Sequence, residues 1–64
     1  MKIVCKEINQ TGSELLVYVM DQTNRPIQGA IYTKNKVEDG VNNLKTQFNI
    51  DTVELMSYNE YLNQ

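Results

Sequence analysis

Leu15-Leu16-Val17-Tyr18-Val19-Met20 is an unbroken apolar run, and its reading decides the fold. A strand points alternate side chains to opposite faces. Leu15, Val17 and Val19 then face one way, and Leu16, Tyr18 and Met20 the other. Apolar residues on both faces place this strand at the centre of a sheet. A chain of 64 residues has material to cover one face of that sheet well and the other only in part. The uncovered apolar face must meet a small C-terminal segment, a copy of itself or another protein.

Outward from this run, the flanking segments supply the sheet's other members. Lys2 to Ile8 reads as a first strand, β-branched in Ile3 and Val4. Asn9-Gln10-Thr11-Gly12-Ser13 is a turn cluster that closes a hairpin onto the second strand, Glu14 to Asp21. Gln22-Thr23-Asn24-Arg25-Pro26 is a second turn. Pro26 has no backbone donor, which puts it at a strand start or edge. Ile27 to Thr33 is the third strand, with Ile27, Gly29 and Ile31 on one face and Gln28, Ala30 and Tyr32 on the other.

The period then changes from two to about 3.6. Val37, Val41, Leu44 and Phe48 form one helical stripe, which predicts a helix over Lys36 to Phe48. Asn35 with Glu38 makes a capping-box pattern, and Glu38, Asp39 and Lys45 suit the helix dipole. Gly40 costs about 1 kcal/mol against Ala in a helix interior, which suggests close approach to the sheet. Asn49 is a left-handed cap candidate. Thr52 to Met56 is a fourth strand with Val53 and Leu55 inward. Ser57-Tyr58-Asn59-Glu60 is a second capping box, opening a short helix with Tyr58, Tyr61 and Leu62 on one side.

These elements predict a single small α+β domain spanning residues 1–64, in the order β-β-β-α-β-short α. Its sheet is mainly antiparallel with three or four strands, and the long helix packs on one face. The expected strand order is 3-2-1-4, the fourth strand parallel to the first. The helix stripe is expected to meet Leu15, Val17, Val19, Ile27, Ile31, Val53 and Leu55 if that is the helix-side face, since the doubly apolar central strand offers two choices.

Composition narrows the function classes. Eight acidic and six basic residues give a net charge of −2, unlike a general phosphate-backbone binder. No apolar run approaches the ~18 residues of a transmembrane helix, and no signal-peptide h-region is visible at Met1-Lys2-Ile3-Val4. The expected location is the cytoplasm, away from membranes. Cys5 is the one cysteine and there is no histidine, so neither an internal disulfide nor a metal site is expected. Cys5 reads as a small buried hydrophobe in a reducing compartment. Asn, Lys, Ile and Tyr are plentiful and have A/T-rich codons, as in a bacteriophage or low-GC bacterium.

Catalysis finds little to work with. Ser13, Ser57 and Cys5 have no histidine to activate them. Glu38 and Asp39 are explained by the helix start, and Asp51 and Glu54 by a loop and an exposed strand position. The three glycines are too far apart for a phosphate-binding loop. The expectation is a protein with no enzymatic activity and no cofactor.

Two local resemblances stand beside this reading. The stretch Val19 to Ala30 resembles the D-x-x-G-x-P-I-x-G-A hairpin of carboxypeptidase-regulatory-like β-sandwich domains, with Asn24 where that pattern has Gly. A helix follows where that family continues with strands, so the likeness is one of turn chemistry. The succession of three strands and a helix, with Ile31-Tyr32-Thr33-Lys34 leading into Val37 to Phe48, is similar to the arm-site DNA-binding domains of phage integrases. That resemblance implies a nucleic-acid partner, with Lys34, Lys36 and Lys45 as contacts.

The reading from the residues themselves points to a protein partner. Leu16, Tyr18, Met20, Ala30 and Tyr32 are expected to share the face away from the helix, and Tyr and Met are enriched at interfaces. The expected function is a small binding protein that occupies another protein's surface, as a phage-encoded inhibitor or modulator of a host factor would. A homodimer through the same patch is the variant of this expectation.

Overall fold

A computed structural model describes residues 1–63 of the chain. Its elements are β1 (Lys2–Glu7), β2 (Glu14–Met20), β3 (Pro26–Thr33), a 3-10 turn (Lys34–Lys36), α1 (Val37–Phe48), β4 (Val53–Met56) and α2 (Tyr58–Leu62). The four strands form one sheet in the order β3-β2-β1-β4. β1 pairs antiparallel with β2 and parallel with β4, while β2 pairs antiparallel with β3. This is the expected α+β architecture and the expected strand order. A strand apolar on both faces has taken an interior place, between β1 and β3.

The core lies between the sheet and α1. Ile3, Cys5, Val17 and Val19 from the sheet close on Leu44 and Ile50, with Leu15, Tyr32, Val37, Val41, Phe48 and Val53 packed around them. The helical stripe therefore faces the sheet as its spacing requires. Asn49 ends α1 in the left-handed region at φ 55°. The Ile50 N–H then reaches back to the Lys45 carbonyl at 3.1 Å. The same carbonyl also accepts the Asn49 N–H, and the two bonds close the helix end and turn Ile50 into the core.

The start of α1 differs from the capping-box expectation. Asn35 lies in the 3-10 turn, where its Oδ1 accepts the Thr33 hydroxyl at 2.6 Å, and no side chain caps α1. The tighter 3-10 turn takes up the chain between strand and helix. At α2 the sequence pattern holds: Ser57 Oγ accepts the Glu60 N–H at 3.3 Å.

Face assignment in β3 is where sequence and structure part. Residues directly opposite one another share a face. Leu15 stands opposite Tyr32, Val17 opposite Ala30 and Leu16 opposite Ile31. Tyr32 and Ala30 are thus on the helix side, and Ile27 and Ile31 on the other, contrary to expectation. Ile27 is 49% and Ile31 59% exposed. Leu55 pairs with Cys5 and so faces the helix side as expected, yet it is 73% exposed. The sheet contacts of α1 run chiefly to β1, β2 and β3, leaving Leu55 uncovered at the β4 edge.

Gly40 leaves room for the inward Tyr32 ring. A Cβ built on Gly40 would lie 2.6–2.8 Å from the ring atoms of Tyr32, so the ring occupies the space a side chain would need. Gly40→Ala should therefore destabilise the protein by about 1–3 kcal/mol through overpacking, despite Ala's better helix propensity. In a Tyr32→Ala background the same change should stabilise, by up to about 1 kcal/mol. Chemical denaturation of the four proteins checks this. Equal effects in both backgrounds would show that ring and glycine are uncoupled.

The turn before β3 is held by Asp21. Its Oδ1 accepts the Thr23 N–H at 2.9 Å, the Thr23 hydroxyl at 2.7 Å and the Arg25 N–H at 2.9 Å. Asn24 supplies the positive φ of 64° that the turn needs. The Arg25 N–H first, and the Thr23 hydroxyl next, hold the Asp21 carboxyl below its usual range. A depressed carboxylate pKa adds stability above the unfolded-state value, and that stability is lost as pH falls through the folded value. Acid should therefore loosen the β2–β3 hairpin below the ordinary Asp range. Asp21→Asn, which keeps an acceptor oxygen, should remove that acid dependence, and Asp21→Ala should weaken the hairpin at all pH values. Hairpin amide shifts followed by NMR through a pH titration would show both effects.

Candidate functional site

The site is the sheet face turned away from α1. Strand alternation gives it Leu16, Tyr18 and Met20 from β2, Ile27, Gly29 and Ile31 from β3, Lys2, Val4 and Lys6 from β1, and Glu54 and Met56 from β4. Among the described residues, the helical packing on this face is that of α2 against β1. On the β2–β3 half a shallow, open concavity of about 460 Å³ is lined by Lys6, Leu16, Tyr18, Met20, Pro26, Ile27, Gln28 and Gly29.

A close strand approach shapes this concavity. Tyr18 stands opposite Gly29. A Cβ on Gly29 would come within 2.5 Å of the Tyr18 Cβ and 2.7 Å of the Val17 carbonyl oxygen. A further irregularity falls at Val19/Met20, where Met20 pairs with Pro26 and Val19 with Gln28. Ile27 is the extra residue of this bulge. Pro26, which cannot donate to a ladder, therefore starts the edge strand where it is tolerated.

The β1–β4 half of the face is closed by its own side chains. Lys2 bridges Glu54 at 2.7 Å. The Lys6 ammonium lies 5.3 Å from the Tyr18 ring centroid and 5.9 Å from that of Tyr61. Val4, which lies between Lys2 and Lys6 on β1 and opposite Tyr18 and Glu54, is 2% exposed. α2 is tied to the end of β1, where the Tyr58 N–H donates to Glu7 Oε1 at 3.1 Å. The terminal helix thus shields one corner of the face and leaves Ile27 and Ile31 open at the far edge.

Of the residues singled out by sequence, Leu16, Tyr18 and Met20 are brought together here. Ala30 and Tyr32 are on the opposite side of the sheet, for the register reason given above. Their places are taken by Ile27 and Ile31. The signal for this was present in Gly40: a glycine in the middle of an amphipathic helix marks where a bulky ring from the sheet must fit.

Lys34, Lys36 and Lys45 do not form a stripe. Lys34 and Lys36 lie in the 3-10 turn, and Lys45 is in the last turn of α1. Nine residues separate Lys36 from Lys45, about 13 Å along a helix and half a turn around it. Glu38 and Asp39 stand beside Lys36 in the first helical turn.

Cys5 is buried on the helix side, and desolvation raises its thiol pKa. A buried thiol with a raised pKa reacts slowly, since the thiolate is the nucleophile. Native protein should resist a thiol reagent such as DTNB, and denatured protein should react at once. Fast labelling under native conditions would contradict the burial. Among the described residues no group of three or more His, Cys, Asp or Glu side chains is placed to hold a metal ion. Among them, too, no helix is long and apolar enough to cross a membrane.

Comparison of the chain with protein-family models, curated proteins and solved structures gave no match.

Proposed function

We propose that this chain is a non-enzymatic binding module that acts by seating its open sheet face on another protein. The observation that carries this reading is the apolar half-face of Leu16, Tyr18, Met20, Ile27 and Ile31, where Tyr18 is buried, Leu16 and Met20 are half-buried, and Ile27 and Ile31 are about half exposed. An exposed apolar patch rimmed by polar groups marks a contact surface. Lys6, Lys2 and Glu54 provide that rim. The partner's chemistry follows from the site: an apolar surface element, such as the hydrophobic face of a helix, able to fill a shallow concavity.

Affinity capture from cells that express the protein, with and without nuclease, tests the reading. A protein partner should survive nuclease and be lost on Ile27→Asp or Ile31→Asp. Both side chains are exposed, so these changes leave the core intact. Recovery of nucleic acid alone, abolished by Lys34→Glu with Lys36→Glu, would overturn the reading in favour of a nucleic-acid binder with a strongly salt-dependent affinity.

A further inference from the structure

We infer that β3 is a self-pairing edge, and that two copies of this chain join through it into one continuous sheet. The inference does not depend on the docking function proposed above. β3 is an end strand of the sheet, eight residues long, and its sequence Pro26-Ile-Gln-Gly-Ala-Ile-Tyr-Thr33 carries no charge. Edge strands are normally blunted by charged residues, shortness or a covering element. The opposite edge, β4, shows two of these: it is four residues long and carries Glu54 in an ion pair with Lys2. On β3 the two interruptions, Pro26 and the bulge at Ile27, fall at its first two residues and leave Gln28–Thr33 regular.

The direction of each backbone group on β3 follows from one bond. Lys34 donates its N–H to the Ser13 carbonyl at 2.8 Å. Antiparallel pairs alternate between bonded and non-bonded. Tyr32, Ala30 and Gln28 therefore direct their N–H and C=O groups at β2, and Ile31 and Gly29 direct theirs outward. The same two residues point toward the open face. Backbone donor, backbone acceptor and the exposed Ile31 side chain are presented together at one edge.

A two-fold axis through Ala30, normal to the sheet, satisfies these groups. It sets Gly29 opposite the partner's Ile31 and Ile31 opposite the partner's Gly29, each pair exchanging both backbone hydrogen bonds. Ala30 meets the partner's Ala30 at a non-bonded pair, where strands approach most closely and a small side chain fits. No charge faces a like charge within the paired strands. The flanking Arg25 and Lys34 bound the ladder to the strand itself. The contact is isologous and closes on itself, leaving only the protected β4 edges free. Both α1 helices fall on one side of the joined sheet. Both open faces fall on the other, so the two apolar half-faces become one surface across the seam. A chain this short gains from such pairing, because small domains bury a small share of their surface alone.

Sedimentation equilibrium over a range of concentrations, with amide exchange of the wild-type protein followed by NMR, tests this. The expected result is a concentration-dependent species of twice 7.4 kDa. The Gly29 and Ile31 amides should become protected as it forms. Ile31→Pro removes an outward donor without removing a bond to β2 and should abolish the dimer. A monomer at every concentration overturns the inference. So does a dimer whose Gly29 and Ile31 amides stay unprotected, because it must use another surface. If the proline variant is unfolded, the exchange of the wild-type amides decides alone.

Discussion

Leu44→Ala is expected to unfold most of the protein at physiological temperature. Leu44 is the one large side chain that α1 buries fully, at 5% exposure, against Ile3, Cys5, Val17, Val19 and Ile50. Truncating a buried leucine costs about 2–5 kcal/mol through lost transfer energy and the cavity left behind. A chain of this size holds only about 3–10 kcal/mol in total, at ~0.05–0.15 kcal/mol per residue. The helix is held by packing, since a helix of this length is marginal by itself. Loss of Leu44 should therefore release α1 from the sheet and expose Cys5 to thiol reagents. Circular dichroism melting combined with DTNB labelling would register both. A fall in Tm of only a few degrees, with Cys5 still protected, would show that Leu44 does not anchor α1.

Gly29→Ala should separate β3 from β2. The added Cβ meets a Cβ, a backbone carbonyl oxygen and a Cα at 2.5, 2.7 and 3.1 Å, and none of these is the free end of a flexible side chain. Relief requires backbone movement, at a cost of about 1–3 kcal/mol. For a domain of this size that is a drop in Tm of roughly 5–20 °C. The two consequences are linked, because the concavity beside Tyr18 exists only while β3 lies close. Binding by the open face should weaken along with stability. Unchanged Tm and unchanged amide protection across β2–β3 would contradict the close approach.

Much of the fold was legible because several signals agreed. The doubly apolar Leu15–Met20 run demanded an interior strand. The Val37, Val41, Leu44 and Phe48 stripe demanded a helix facing the sheet, and Asn49 marked its end. What the sequence left ambiguous was the face parity of β3. Ile27 and Ile31 compete with Ala30 and Tyr32, and both sets are apolar. Parity is set by hairpin register, which depends on the Asp21-centred turn and on the bulge at Ile27. Neither is visible in periodicity. The consequence reached the site: Leu16, Tyr18 and Met20 were readable as a shared surface, whereas Ala30 and Tyr32 were exchanged for Ile27 and Ile31. Val4 was hidden for a related reason. It sits between Lys2 and Lys6 on its own strand and opposite Tyr18 and Glu54 on the strands to either side, a placement that only the strand order reveals.

The open face, and not the helix side, is the proposed meeting place of this protein and its partner. Site-specific photo-crosslinking in living cells tests it most directly. A benzophenone side chain would replace Ile27 or Ile31 on the open face, and Asn43 on the exposed surface of α1 as the control. A discrete protein adduct, heavier than two copies of the chain, is expected from positions 27 and 31 and none from 43. An adduct from 43 with none from 27 or 31 would contradict it, as would the absence of any protein adduct heavier than the dimer.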